Sequence, residues 1–359
     1  MTSNQRGETF ASVQVARAIA ATVVVFHHLE WAVGPTSAVV KSTPEWLSFG
    51  YAGVDIFFVI SGFIIALVVS QGSNSPRTFI LRRANRILPM YWAFTIAWIV
   101  LAWAGTHEAP TASKLIASML VLPQRDLPIL GVGWSLEHEF IFYGLVAILL
   151  FAKRLSLLVP VLCALTIGAF GLQIVSTGNP PWDLHLFSPY WFDFLLGVAL
   201  FKLRAAVSKI NPWLLIGTGT AILMFGNFAS NQAFGGHVPT MPMGSHGIVR
   251  VVTLGMAGFM LISGGLALER QKPAIFDNAL GRTLVEVGNS SYVLYLCHPL
   301  ILKVMGAALS HRVPAAAVAQ YSYALLAVAI CLVAAAVISR SVEMPLVKAL
   351  NRPRFGNHG

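Results

Sequence analysis

Charge is what this sequence has least of. Asp, Glu, Lys and Arg make up 11% of its 359 residues, against 56% hydrophobic, where a soluble domain carries roughly 25% charged residues. Mean hydropathy is +0.72. No polar stretch is long enough to fold as an aqueous domain, which excludes a soluble enzyme or a globular binding module. A disulfide framework is lacking too: Cys163, Cys297 and Cys331 all fall inside apolar runs, without metal-ligand spacing. There is no fixed-period repeat, no low-complexity tract, and no Gly-x-Ser-x-Gly elbow for an acyl-serine route. His27 and His28 are adjacent and face apart on a helix, and no His-x-x-x-His or Cys pair accompanies them, so no metal centre is expected. The start does not read as a cleaved signal peptide, because its first apolar run is long, carries Arg17 and is followed by many more.

What is present is a series of apolar runs. They lie near Val13–Val33, Gly50–Val69, Ile87–Trp103, Trp134–Phe151, Leu155–Val175, Tyr190–Phe201, Pro212–Phe228, Ile248–Leu268, Gly288–Leu309 and Ala315–Ile338. Each is near the roughly 20 residues that cross a bilayer, with Tyr190–Phe201 the short one. The net charge of +10 is distributed along the chain in a way that argues for topology and against nucleic acid. Arg77, Arg82, Arg83, Arg86, Lys153, Arg154, Lys202, Arg204, Lys209, Arg270, Lys272, Arg282, Arg340, Lys348, Arg352 and Arg354 fall in alternate loops, and the others hold only Lys41, Lys114, Arg125 and Arg312. The positive-inside rule then puts both termini in the cytoplasm, which requires an even number of spans. The expected fold is an all-α integral membrane protein, a bundle of about ten transmembrane helices forming one domain over residues 1–359. Trp31, Trp46, Trp103, Trp134, Trp182 and Trp191 fall at the expected outer span ends, as in an aromatic belt. Leu115–Pro123 is too short to cross, and the tails Met1–Phe10 and Pro353–Gly359 are expected to be poorly ordered.

Ionisable residues inside spans are costly and are therefore functional candidates. Arg17 and His28 are eleven residues apart, which places them on one helix face about 16 Å apart. That stripe suits an elongated anionic ligand, although an arginine snorkelling to the interface and a histidine satisfied by backbone remain equally open. Asp55, the run Glu137-His138-Glu139, and Asp193 all enter spans from the outer side, and His298 sits mid-depth in a late span. Acids and histidines thus collect in the outer half. Arginines collect at the cytoplasmic side, where Arg82, Arg83 and Arg86 either set topology or hold phosphate oxygens. Ser61 and Gly62 read first as a close helix contact.

Taken together, these motifs resemble the acyltransferase-3 family of membrane-bound acyltransferases, in particular its exopolysaccharide and nodulation-factor acetyltransferase branch. Arg17-x10-His28 is similar to the family's first-helix signature. Val54-Asp-Ile-Phe-Phe-Val-Ile-Ser-Gly-Phe63 matches its second-helix motif, and Arg82-Arg-x-x-Arg86-Ile-x-Pro89 the basic segment that follows. Trp134-Ser-Leu-x-x-Glu139-x-x-Phe142-Tyr143, Ser290-Ser-Tyr-Val-Leu-Tyr-Leu-x-His298-Pro and Val342-Glu-Met-Pro345 complete six matches in order along the whole chain. One departure is His138, before the shared acid, which leaves open which neighbour contacts Glu139. The resemblance implies ten helices, an acyl-coenzyme A donor on the cytoplasmic side and a carbohydrate acceptor, without the extracytoplasmic hydrolase-like domain that some members carry.

Acyl transfer to a hydroxyl needs a group that removes the hydroxyl proton, and histidine titrates in the right range. The expectation is that His28 is the general base and that Asp55 or Glu139 orients it. Arg17 contacts the donor, Arg82, Arg83 and Arg86 hold the phosphates of acetyl-coenzyme A, and Ser61 and His298 are further candidates. The protein is expected in the inner (plasma) membrane, among membrane lipids, as a multi-pass protein. The alternative is a proton-coupled secondary transporter of an organic anion, with His28, Asp55 and Glu139 as a relay. It lacks the inverted repeat and paired broken spans common in that class.

Overall fold

The computed structural model describes residues 10–35, 37–42, 49–72, 75–106, 108–175, 185–235, 244–309 and 316–352. The tails Met1–Thr9 and Pro353–Gly359, along with Trp46, Trp182, Arg312 and Arg354, lie outside the described residues.

Among the described residues the regular structure is helical, with no strand. The long helices are α1 (Ala11–His27), α2 (Ala52–Ser70), α3 (Pro76–Thr106), α4 (Trp134–Phe151), α5 (Leu158–Val175), α6 (Trp191–Val207), α7 (Pro212–Phe234), α8 (Gly244–Gln271), the shorter α9 (Ala279–Asn289), then α10 (Ser291–Leu309) and α11 (Ala317–Ile338). Nine of these segments are long and apolar enough to cross a membrane. The exception among the ten expected spans is α6, whose 17 residues carry the charges of Lys202 and Arg204 near its C-terminal end. It is nonetheless inside the bundle, with Phe194, Val198 and Leu200 buried. The protein is an all-α integral membrane protein. Its outer surface is apolar as well as its core: Phe151 is 81% exposed and Ile167 71%, as lipid-facing side chains should be.

Two boundaries differ from expectation in ways that matter for the site. The basic segment Arg77 to Arg86, counted with the loops although Arg82, Arg83 and Arg86 are spaced to share a helix face or its rim, is the first part of α3, a single helix of 31 residues with Pro89 inside it. Arginine is a good helix former, so the helix simply continues past the apolar run. The late apolar run Gly288–Leu309 is instead broken at Ser290, where α9 stops and α10 starts. The helix α9 lies against α1, and a Cβ at Gly288 would come within 2.0 Å of the Gln14 carbonyl oxygen. The start of α1 is also held from a distance. Glu269 on α8 accepts from the Ala11 and Ser12 amides at 2.8 and 3.0 Å and from Ser12 Oγ at 2.5 Å, capping donors that a helix N-terminus leaves free.

The tightest crossing joins α2 and α6. A Cβ at Gly197 would lie 2.0 Å from the Val59 oxygen and 2.8 Å from Gly62 Cα, and one at Gly62 would lie 2.3 Å from the Phe194 oxygen. Backbone touches backbone there, as small residues permit between membrane helices. Gly197→Val is expected to force the helices apart, at a cost of about 1–3 kcal/mol. A melting series in detergent checks this, and an unchanged transition would mean that the crossing relaxes freely.

Candidate active site

Five helices converge on one cleft. Its empty space is about 810 Å³ when the solvent at its mouth is counted. Arg17 enters it from α1, Ser61 from α2, Arg83 and Arg86 from α3, Glu139 and Tyr143 from α4, and Tyr292 and Tyr295 from α10. Glu139 is within interaction distance of Ser61, Tyr143, Arg83 and Arg86. Arg17 bonds Gln14 Oε1 at 3.3 Å and feels Arg86, Glu139 and Glu343. Arg83 Nε is buried without a hydrogen-bond partner among the described residues. Three guanidinium groups thus face a cleft that holds one carboxylate, and a buried donor is left over, so an anionic ligand with several oxygens fits. Arg82, expected to join them, is exposed and outside the lining.

Beyond Tyr295 stands a pair of histidines. The rings of Tyr295 and His298 are 6.1 Å apart and those of His298 and His28 5.1 Å. His28 Nδ1 lies 2.9 Å from the Val24 carbonyl oxygen, and His298 Nδ1 lies 3.1 Å from that of Leu294. A carbonyl oxygen only accepts, so in both neutral rings the proton is on Nδ1. His298 Nε2 then carries a lone pair, and it lies 3.3 Å from His28 Nδ1, where it accepts a second branch of the same N–H. The arrangement leaves His28 Nε2 unprotonated. On its other side His28 packs against Trp31, with ring centroids 4.3 Å apart.

Neither carboxylate expected to orient His28 touches it. Asp55 Oδ2 accepts from Arg250 Nη2 at 3.0 Å in a fully buried ion pair. Arg250 also donates to the Tyr190 hydroxyl, and its guanidinium sits 5.2 Å over the Tyr51 ring. Asp193 belongs to this cluster, with both carboxylate oxygens buried and unpartnered among the described residues. Glu139 belongs to the arginine cleft. The orienting part falls instead to Val24, Leu294 and His298, of which only His298 was singled out from the sequence.

The run Glu137-His138-Glu139 is split as well. Residues two apart on a helix point about 200° apart, so Glu137 cannot share Glu139's cleft. It accepts from the half-buried Gln124 Nε2 at 3.0 Å and meets the buried His185 Nε2 at 2.6 Å. His138 Nδ1 faces its own Trp134 oxygen at 3.1 Å, and its ring lies 4.6 Å from that of His185. The neighbour left open for Glu139 is therefore Ser61 with Tyr143 and two arginines. The outer-half acids and histidines expected at one depth form four separate clusters.

Arg250 and His185 escaped the sequence reading. Arg250 carried a signal, since it is an arginine within the apolar run Ile248–Leu268, and the rule that picked out Arg17 applies to it equally. His185 lies in a stretch without any apolar periodicity and carried none.

A model of the acyltransferase-3 family, described as an acyltransferase domain, matches residues 10–339. The chain belongs to the acyltransferase-3 family. Among its relatives, exopolysaccharide production protein ExoZ of Rhizobium meliloti (strain 1021) is 30% identical over 281 residues, covering 75% of this chain and 81% of that protein. Acyltransferase MdmB of Streptomyces mycarofaciens is 24% identical over 345 residues, covering 86% and 83%. No solved structure matches. This acyltransferase-3 protein is a multi-pass membrane protein, and its family and relatives support membrane acyltransferase activity. The transporter alternative loses its relay: His28, Asp55 and Glu139 sit in three different clusters.

Proposed function

We propose that this protein moves an acyl group, acetyl in the simplest case, from acyl-coenzyme A to a hydroxyl of a carbohydrate or glycoconjugate, with His28 as general base. One observation carries the reading. The two histidines, with tautomers set by backbone carbonyls and His28 Nε2 left basic, adjoin Tyr295 at the edge of the arginine cleft on one side and Trp31 on the other. A donor anchored by its phosphates among Arg17, Arg83 and Arg86 extends its thioester arm past Glu139 and Tyr295 toward that pair. The relative named for exopolysaccharide production supports a polysaccharide acceptor. The inner (plasma) membrane, with the arginine end in the cytoplasm, is the matching location.

In this scheme His28 Nε2 takes the proton of the acceptor hydroxyl as its oxygen forms a bond to the thioester carbonyl carbon. Collapse breaks the C–S bond, and the sulfur leaves with the proton that His28 returns. His298 Nε2, accepting from His28 Nδ1–H, stabilises the imidazolium during the exchange. The scheme calls on no metal ion.

The test is acetyl-coenzyme A binding to purified wild type, Arg17→Ala and Arg83→Ala. Each arginine removed costs a charge-assisted hydrogen bond, about 1.5–3 kcal/mol, so the dissociation constant rises about tenfold or more. Failure of the wild type to bind any acyl-coenzyme A would overturn the donor assignment.

A further inference from the structure

A second opening lies at the other end of α1, past His28. Glu30, Trp31, Lys303 and Gly306 line it. Glu30 and Lys303 are exposed, yet among the described residues neither forms an ion pair. Lys303 Nζ stands 5.6 Å from the Trp31 ring centroid. Trp31 itself is half-buried and held firmly by its main chain. Its amide donates to the His28 oxygen at 3.0 Å, and α10 packs so closely on it that a Cβ at Gly306 would lie 2.1 Å from the Trp31 oxygen. A lysine and a tryptophan at a span end otherwise read as interfacial anchors. What distinguishes this pair is its place: the indole is in contact with the imidazole of the proposed base, 4.3 Å between centroids.

An indole on a short helix, with an exposed ammonium over its ring and an exposed carboxylate beside it, matches the chemistry of a pyranose. One face of such a sugar is a row of C–H bonds, and its rim is a ring of hydroxyls that both donate and accept. We infer that Trp31, Lys303 and Glu30 form the acceptor subsite, in which a pyranose unit stacks on Trp31 and presents one hydroxyl to His28. The inference rests on the carbohydrate O-acyltransferase reading above. Lys303 reaches the sugar oxygens by swinging its flexible stem off the indole, and Glu30 accepts from a second hydroxyl. Trp31 binds the sugar and sets which hydroxyl faces the base. Gly306 is a positioning residue, since a side chain there displaces the Trp31 main chain.

The experiment measures acetyl transfer from acetyl-coenzyme A to methyl glycosides and short oligosaccharides of glucose, galactose and glucuronic acid, alongside acetyl-coenzyme A hydrolysis without acceptor. Wild type, Trp31→Ala, Trp31→Phe and Lys303→Ala are compared in detergent. An aromatic contact removed from a binding site costs enough to raise the acceptor KM about tenfold in Trp31→Ala. The ratio of transfer to hydrolysis falls with it, the acetyl-coenzyme A KM tracks the wild type, and Trp31→Phe recovers most of the loss. An acceptor KM unchanged in Trp31→Ala and Lys303→Ala overturns the subsite while leaving the carbohydrate reading standing. Weaker retention in anionic-lipid vesicles, with the acceptor KM unchanged, also overturns it and makes the pair a membrane anchor. If the wild type acetylates and binds none of these saccharides, the carbohydrate reading fails and the subsite fails with it.

Discussion

His28→Ala lowers acyl transfer by about 10²–10⁴-fold, the usual contribution of a positioned general base, while acetyl-coenzyme A binding stays near the wild-type value. The separation of the two effects follows from the geometry. In the proposed scheme the donor's charged end sits among Arg17, Arg83 and Arg86, and His28 does not line that cleft. His298→Gln is the informative companion. His298 contributes one acceptor to His28 Nδ1 at 3.3 Å, so its loss is expected to cost about tenfold, the worth of one hydrogen bond. Val24 still holds the tautomer at 2.9 Å in that variant. Asp55→Asn, by contrast, leaves the pH dependence of transfer unchanged, since Asp55 is bonded to Arg250 and not to a histidine. Retention of about a tenth of wild-type transfer by His28→Ala would remove His28 from the base role, which is worth far more than that. A pH profile altered by Asp55→Asn would reinstate the carboxylate expected from the sequence.

The sequence made the bundle legible because a membrane span leaves a length and composition that survive without any contact information. Trp134–Phe151 begins and ends where the apolar run does, and Ala317–Ile338 nearly so. Where polarity and helicity part company, the reading failed. The arginines of α3 are polar and helical at once, and the apolar run containing Ser290 conceals a break between two helices. The site was legible one residue at a time. Arg17, Arg83, Arg86 and Glu139 meet in one cleft, although Glu139 was expected beside His28, and His28 meets His298, a pairing not foreseen. The partners of the acids were not legible, because depth along a span follows from sequence position, whereas the face a residue shows depends on which helices flank it. Asp55 and His28 were matched by depth, yet Asp55 points toward α6 and α8, where Arg250 waits. Six family motifs in order predicted the family for a different reason, since they report common descent and need no geometry.

Arg250→Leu is expected to be the most destabilising single change in the membrane domain, by about 3–5 kcal/mol, because it strips the cation from a buried ion pair. Arg250 is 1% exposed and Asp55 0%, and Asp193, also 0% exposed, shares the same space. One guanidinium therefore stands against two buried carboxyl groups, and without it neither has a cation beside it. Asp55→Asn is milder. It leaves Arg250 charged, but Asp193 has two oxygens without a partner among the described residues and can turn to take the vacated donor. Replacing the ion pair by apolar groups of similar volume is often close to neutral, so Asp55→Leu combined with Arg250→Leu should recover part of the single-variant loss. Full recovery is not expected, since Asp193 remains buried and the Tyr190 hydroxyl loses its bond to Arg250. Gly255 sets the geometry of the cluster, since a Cβ there would lie 2.0 Å from Asp193 Oδ1. The measurement is a double-mutant cycle on thermal unfolding in detergent, with acetyl-coenzyme A absent so that binding does not mask the differences. Equal losses in Asp55→Asn and Arg250→Leu would mean that Asp193 offers Arg250 no substitute. No loss in Arg250→Leu would mean that the two carboxyl groups share protons well enough to need no cation. The cluster fastens α2, α6 and α8 together, through Tyr51 and its 2.8 Å bond to Asn227 it reaches α7, and Tyr51 packs on His27 of α1 at 5.8 Å. It thereby holds the helices around α1 that keep His28 between the cleft and the Trp31 opening.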